Sequence, residues 1–237
     1  MVPGHGLNAS FAHLTPPVGD IGFLSQSGAV LTSVIDWAYA RGIGFSHLAS
    51  LGSMADIDFG DMLDYLARDP KTRAIMLYIE AVTHPRKFMS AARAAARTKP
   101  VIVIKSGRTA SGAKAASSHT GALAGSDDVY DVAFRRAGML RVADMDELFD
   151  AVETLGMRVK VEGERLAVLT NGGGLGVMAA DTASDLDGVL ASLSDDTMDA
   201  LNASLPRTWS HGNPIDIIGD APGSRYTAAL DAILKDR

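Results

Sequence analysis

A short apolar run passes into a helical pattern within the stretch Ile21-Gly22-Phe23-Leu24-Ser25-Gln26-Ser27-Gly28-Ala29. Residues 21–24 have the length and composition of a buried strand, and residues 27–39 have the period of an amphipathic helix. The same order of strand and helix recurs along the chain. Strands that alternate with helices are typical of a mostly parallel sheet with helices on both faces. The sequence therefore predicts an α/β fold built on an open parallel sheet.

The chain divides into three predicted segments. Residues 1–19 are rich in proline and glycine and have no clear period, so we interpret them as an irregular lead-in. Residues 20–158 form the first predicted domain, and the polar stretch 157–164 is interpreted as a boundary. Within the first domain we predict further strands at 45–51, 74–79, 101–104 and 140–142, and helices at 59–67, 85–97, 127–136 and 144–155.

A second predicted domain of the same style occupies residues 163–237. It opens with a strand at 166–170, and helices are predicted at 174–184, 195–201 and 224–234. A doubly wound domain needs more sheet than this, so we expect this second domain to be incomplete or to be completed by another chain.

Composition excludes several classes of protein. The 237 residues are 47% hydrophobic, which supports a genuine core. With 22 basic and 28 acidic side chains the net charge is −6, so there is no global positive field to hold nucleic acid or an anionic membrane. The chain has no cysteine, which excludes disulfides and thiolate metal sites and fits a reducing cytoplasm. The six histidines lack paired metal spacing and no apolar run approaches the roughly 18 residues of a membrane span, so we expect neither a metal site nor a membrane partner.

One imidazole lies within a run of small residues, AASSHTGALAG at positions 115–125. The run lacks an apolar period, and its glycines and serines favour an adaptable loop in which His119 is free to move. A histidine so placed can act as a base, a metal ligand or a nucleophile. A solvated side chain without a function is the alternative for any single loop histidine.

Two turns join a buried strand to a helix through small residues, at positions 25–29 and 171–176. In such a turn, backbone N–H groups and the positive end of the helix converge on an anion, and serine hydroxyls add donors. Neither turn carries the lysine of a P-loop or a full dinucleotide fingerprint, and close packing of helix on strand is the alternative explanation for each. The candidate phosphate-binding residues are Ser25, Ser27, Gly28, Gly172, Gly173 and Gly174.

Charged residues follow two of the predicted strands. Glu80 comes directly after the strand at 74–79, at the carboxyl edge where open α/β sheets bind ligands. A carboxylate there could orient a mobile imidazole or stabilise it once it is charged or phosphorylated, and a water-exposed glutamate is the alternative. Lys105, Arg108 and Lys114 could steer phosphate, although three basic residues on a loop are more often simply solvated.

These motifs together resemble the NDP-forming acyl-CoA synthetases, which include the ADP-forming acetate:CoA ligases and, more distantly, succinyl-CoA synthetase. The resemblance runs from about Leu7 to the C-terminus, and six motifs carry it in the order of the family. They are GFLSQSGA (22–29), LYIE (77–80), KSGR (105–108), SSHTG (117–121), NGGG (171–174) and NPID (213–216). The resemblance implies a flavodoxin-like ligase domain followed by the start of a second such domain.

The resemblance also implies a reaction. In that family acyl-CoA and phosphate give an acyl phosphate, a histidine takes the phosphoryl group, its loop swings, and ADP or GDP receives the group. His119 then matches the phosphate-carrying histidine, Glu80 matches the glutamate that steadies phosphohistidine, and the two turns match the helix ends that grip the phosphate. CoA and ADP or ATP with magnesium are substrates of the complete enzyme, and no cofactor stays bound.

The resemblance finally implies partners. The family's CoA-binding domain and its ATP-grasp module do not occur in this sequence, so we expect them as partner domains or subunits of a homo- or hetero-oligomer. The chain is then one part of an acid–thiol ligase. Two alternatives stay open, a non-catalytic synthetase-like region of a protein lysine acetyltransferase and an inactive fragment. Retention of His119 and Glu80 argues against the regulatory alternative.

Overall fold

The computed structural model describes residues 1–112, 114, 126–156 and 163–236. The chain falls into two compact units, Met1–Val159 and Lys160–Arg237, which are described one at a time. Within the described residues, no helix is both long and apolar enough to cross a membrane.

The first unit is built on a parallel sheet of five strands in the order β2-β1-β3-β4-β5. The strands are β1 (Val18–Ser25), β2 (Phe45–Ser50), β3 (Ala74–Ile79), β4 (Val101–Lys105) and β5 (Leu140–Val142). The helices are a short 3-10 helix (Pro3–His5), α1 (Gly28–Ala40), α2 (Phe59–Arg68), α3 (Pro85–Ala96), α4 (Asp127–Ala137) and α5 (Met145–Gly156). This strand order is that of flavodoxin-like folds, which confirms the predicted fold class.

Helices cover both faces of this sheet because the strands are apolar on both faces. Successive residues of a strand point to opposite faces, and the adjacent residues Phe23 and Leu24 of β1 accordingly enter two different cores. Helices α1 and α5 pack on the face of Phe23, whereas α2, α3 and α4 pack on the face of Leu24. Each of these two side chains is fully buried, which stabilises the fold by about 2 kcal/mol apiece.

The start of β1 differs from the prediction, because the strand begins at Val18 rather than at Ile21. A Cβ atom on Gly19 would overlap the carbonyl group of Gly44, so only glycine permits this close approach of the two backbone segments. Because glycine has no apolar side chain, residues 18–20 show no apolar period and the sequence did not predict this part of the strand. The lead-in is also tied to the sheet, since backbone groups of Met1 and Leu48 exchange hydrogen bonds of 2.6 and 3.0 Å.

The second unit contains two parallel sheets of two strands each, β6 with β8 and β7 with β9. The strands are β6 (Arg165–Leu166), β7 (Leu169–Thr170), β8 (Val189–Leu190) and β9 (Ile215–Asp216), and the helices are α6 (Gly173–Asp185), α7 (Asp195–Ser204) and α8 (Gly223–Ile233). Buried side chains that include Leu201, Trp209 and Ile217 form its core. The predicted single strand at 166–170 was wrong, because it is divided into β6 and β7.

The side chain of Asn213 explains this division. Its Oδ1 accepts a hydrogen bond from the N–H of Val168 at 2.9 Å, and its Nδ2 donates to the carbonyl oxygens of Leu166 and Ala191 at 2.8 and 3.0 Å. The amide therefore takes the place of a strand partner at the residues between β6 and β7. Asn213 thus stabilises the backbone of the segment that precedes the second turn.

Candidate functional site

A cavity of about 670 Å³ opens at the carboxyl edge of the sheet in the first unit. Residues that follow β1, β2 and β3 line it together with one side chain of the N-terminal segment. They are Phe11, Gln26, Ser27, Gly28, Ala29, Ser50, Gly52, Ser53, Met54, Glu80, Ala81 and Thr83. Because β2 and β3 flank β1, the cavity lies at the point where the strand order reverses, which is where open α/β sheets bind ligands.

The first turn is held in shape by two serine hydroxyls. Ser25 is fully buried, and its Oγ donates to the carbonyl oxygen of Ser27 at 2.6 Å while accepting from the N–H of Ser27 at 3.0 Å. Ser27 caps α1, since its Oγ accepts from the N–H of Val30 at 3.3 Å. The hydroxyl of Ser25 thus shapes the turn, and Ser25 does not belong to the lining of the cavity.

The first residues of α1 present the positive end of the helix to the cavity. Gly28 and Ala29 both belong to its lining. N–H groups in the first turn of an α-helix have no partner within the helix, and the helix end carries a partial positive charge. This part of the cavity is therefore suited to an anion.

The backbone at Glu80 is held beside the same cavity by a contact that sequence reasoning missed. The Oε1 of Gln26 accepts hydrogen bonds from the N–H groups of Glu80 and Ala81 at 2.6 and 2.9 Å, and the N–H of Gln26 donates to the carbonyl oxygen of Tyr78 at 3.1 Å. The structure thus brings Ser27, Gly28 and Glu80 of the candidate residues together. Gln26 stands in a quoted motif, but nothing in its local pattern indicates a partner on another strand.

Lys105 is a second charged residue near this edge, and the expectation that it is simply solvated was wrong. It ends β4 with 2% of its surface exposed, its amine donates to the carbonyl oxygen of Ser106, and it lies 4.7 Å from the ring centre of Tyr130. Burial lowers the pKa of Lys105, while Asp127 and Glu80 oppose that effect. Arg108, by contrast, is exposed.

The second turn repeats the hydrogen bonding of the first. The N–H of Gly172 donates to Oγ1 of Thr170 at 3.0 Å, and that hydroxyl donates to the carbonyl oxygen of Gly172 at 3.2 Å. Thr170 therefore does in this turn what Ser25 does in the first. Gly172 precedes α6, whose first two residues, Gly173 and Gly174, are exposed.

A carboxylate lies against the first turn of α6. A Cβ atom on Gly173 would come within 2.9 Å of Oδ2 of Asp216, and Oδ1 of Asp216 accepts from the N–H of Ile218 at 2.9 Å. Asp216 received no role from the sequence. Glycine at position 173 leaves room for this carboxylate beside the helix end.

His119 lies outside the described residues, so the structure adds nothing on the loop at 115–125. Among the residues that are described, no group of three or more His, Asp or Glu side chains is arranged to hold a metal ion.

Residues 18–155 match the family of the succinyl-CoA ligase-like flavodoxin domain. The chain belongs to this family. Membership of the succinyl-CoA ligase-like flavodoxin family agrees with the observed strand order and confirms the resemblance to the NDP-forming acyl-CoA synthetases.

Two similar proteins extend the comparison. The ADP-forming acetate–CoA ligase I of Archaeoglobus fulgidus is 45% identical over 97% of this chain and 33% of that protein. The alpha subunit of ADP-forming acetate–CoA ligase I from Pyrococcus furiosus is 40% identical over 94% of this chain and 48% of that subunit.

A solved structure of the dinucleotide-forming acetyl-coenzyme A synthetase 1 of Ca. Korarchaeum cryptofilum, in complex with phosphate and ADP, is also similar. It superposes with a TM-score of 0.94 at 39% identity, over 99% of this chain and 51% of that chain. The chain thus spans between about a third and about a half of the length of these relatives.

Proposed function

We propose that this chain is the part of an ADP-forming acyl-CoA synthetase that binds phosphate and carries it on His119. The complete enzyme would interconvert acyl-CoA, ADP and phosphate with the acid, CoA and ATP. One observation carries the proposal: Ser27, Gly28 and Glu80 line a single cavity at the strand-order reversal of a flavodoxin-like sheet.

The first turn would bind the phosphate. The N-terminus of α1 contributes a partial positive charge and backbone N–H donors at Gly28 and Ala29, which suit an anion such as phosphate. Ser25 and Ser27 hold these donors in place through their own hydrogen bonds. The second turn offers N–H donors of the same kind at Gly173 and Gly174, the first two residues of α6, because the N–H of Gly172 is already bound to Thr170.

The chemistry passes through three steps. A phosphate oxygen attacks the thioester carbonyl carbon of acyl-CoA, the C–S bond breaks, and CoA leaves as an acyl phosphate forms. A neutral ring nitrogen of His119 attacks phosphorus, the bond from phosphorus to the acyl oxygen breaks, and the carboxylate leaves. An oxygen of the ADP β-phosphate then attacks the phosphoryl group, and the P–N bond breaks to give ATP.

Glu80 has a different task from the turns. A carboxylate repels free phosphate, but it accepts a hydrogen bond from the second ring nitrogen of an imidazole and stabilises the positive charge that forms on it. Gln26 holds the backbone at Glu80 and so sets where this carboxylate stands. Glu80 thus favours the phosphorylated histidine over the free anion.

The remaining steps call for modules beyond this chain. CoA and the nucleotide, with magnesium, need binding domains of their own, a CoA-binding domain and an ATP-grasp module, in the same protein or in a partner subunit. The name of the Pyrococcus furiosus relative, a subunit alpha, supports the second arrangement.

Labelling with acetyl [32P]phosphate tests the half-reaction that this chain would perform. We expect acid-labile and base-stable label on the chain, none on His119→Ala, and about tenfold less on Glu80→Gln, since a charge-assisted hydrogen bond becomes a neutral one. His13→Ala is the matched control, because His13 is an exposed imidazole that pairs with Asp36. Label that persists in His119→Ala would exclude His119 as the carrier.

A further inference from the structure

The N-terminal segment places an aromatic side chain at the candidate anion site. Phe11 is 81% exposed, although a large apolar ring is usually buried. Its ring nevertheless lies against α1, since a Cβ atom on Gly28 would come within 3.0 Å of Cζ of Phe11. Phe11 thus stands beside the first residue of the helix whose N-terminus faces the cavity.

A second cavity also has Phe11 in its lining. Its volume is about 310 Å³, and its lining includes the apolar side chains Ala12, Leu31 and Leu48. Phe11, Gly28 and Ser50 belong to the linings of both cavities. The ring of Phe11 is therefore part of the boundary between the larger cavity and the smaller one.

The larger cavity combines two kinds of surface. Helix N–H donors stand at Gly28 and Ala29, whereas Phe11, Met54 and Ala81 contribute apolar wall. Inorganic phosphate alone would gain nothing from an apolar wall. A molecule with an anionic head and a short hydrocarbon tail would use both surfaces.

We propose that Phe11 determines acyl-chain length: its ring closes the apolar end of the larger cavity, and the acyl group lies between Phe11 and Met54. This inference rests on the proposed function and assigns a specificity-determining residue to the same site. We expect truncation of the ring to open the larger cavity toward Leu31 and Leu48 of the smaller one, and so to make room for a longer chain.

Alkylphosphonates from methyl to octyl, with inorganic phosphate, test this inference by calorimetric titration of the chain. The readout is the affinity of each phosphonate relative to that of inorganic phosphate within the same variant. In the wild type we expect this ratio to rise about fourfold per methylene and then to stop rising. In Phe11→Ala we expect the rise to continue for at least about two further methylenes at the same increment per group.

Leu7→Ala is the matched control, because Leu7 is an exposed apolar residue of the same segment and lines neither cavity. Its length profile should be that of the wild type. Binding of inorganic phosphate with a flat profile, or with the same profile in Phe11→Ala, would overturn the inference and leave the proposed function standing. Absence of binding for phosphate and for every phosphonate would overturn both. Because Phe11 is exposed, we expect Phe11→Ala to fold like the wild type, and circular dichroism checks this.

Discussion

Gln26 and Glu80 are joined by a hydrogen bond of 2.6 Å from the backbone N–H of Glu80 to the side-chain oxygen of Gln26. The same oxygen accepts from the N–H of Ala81 at 2.9 Å. Strand β1 pairs with β3 up to Ser25 and Tyr78, so this side chain continues the pairing beyond the end of β1. The position of Glu80 at the cavity is therefore set by the residue that follows β1.

Two substitutions of Gln26 should separate this structural role from the charge of the cavity. Gln26→Ala leaves two N–H groups without their acceptor, and we expect the first unit to lose about 2 kcal/mol of unfolding free energy. Gln26→Glu keeps an acceptor and hence most of the stability, but it adds a negative charge to the cavity and should weaken phosphate binding. Urea unfolding and calorimetry measure the two effects. An alanine variant as stable as the wild type would contradict this account.

The two glycines that begin α6 should respond to alanine in opposite directions. At Gly174 a Cβ atom would meet nothing within 4 Å, so Gly174→Ala should stabilise the second unit by up to about 1 kcal/mol through helix propensity. At Gly173 the added carbon would come within 2.9 Å of the Asp216 carboxylate, which is held by the N–H of Ile218. We expect Gly173→Ala to be destabilising by about 1 kcal/mol or more.

The chain offers a convenient probe for this comparison. It has two tryptophans, Trp37 in the first unit and Trp209 in the core of the second. In a Trp37→Phe background, fluorescence during urea unfolding reports the second unit alone. Equal midpoints for the two alanine variants would show that the Asp216 carboxylate moves aside without cost.

His47 should make the stability of the first unit depend on pH. It is 8% exposed, its Nε2 lies 3.2 Å from the hydroxyl of Tyr65, and its Nδ1 lies 3.5 Å from Oδ2 of Asp69. Burial lowers the pKa of His47, and Asp69 opposes this only in part. Below the ordinary value of 6.5 the unfolded chain therefore binds a proton more readily than the folded one, and stability falls as pH decreases toward the lowered pKa.

Urea unfolding between pH 7.5 and about 5 measures this dependence. We expect His47→Asn to flatten the profile, because it removes the titrating group. His13→Asn serves as the control at an exposed imidazole and should leave the profile as it is. A wild-type midpoint that rises as pH falls below 6.5 would have the wrong sign for a histidine that is buried in its neutral form.

The central strands of the first unit could be predicted from the sequence because each is a continuous apolar run. The strand β3 at Ala74–Ile79 agrees with the prediction at both ends, and β4 differs by the inclusion of Lys105. Strands that are buried on both faces show such runs. The start of β1 and the division of the strand at 166–170 could not be predicted, because Gly44 and Asn213, which explain them, are distant in sequence.

For the candidate site, the sequence by itself determined the two turns, the helices that follow them and a glutamate at the end of a strand. These features depend on apolar period and on turn residues, which act between near neighbours in the chain. Only the tertiary structure decided that Gln26 holds Glu80, that Phe11 stands between two cavities and that Asp216 lies against Gly173. Those contacts join segments that are far apart in sequence. In the first unit they depend on the strand order, which is set by the packing of helices on both faces of the sheet. In the second unit the pairing of β7 with β9 brings Asp216 to the start of α6.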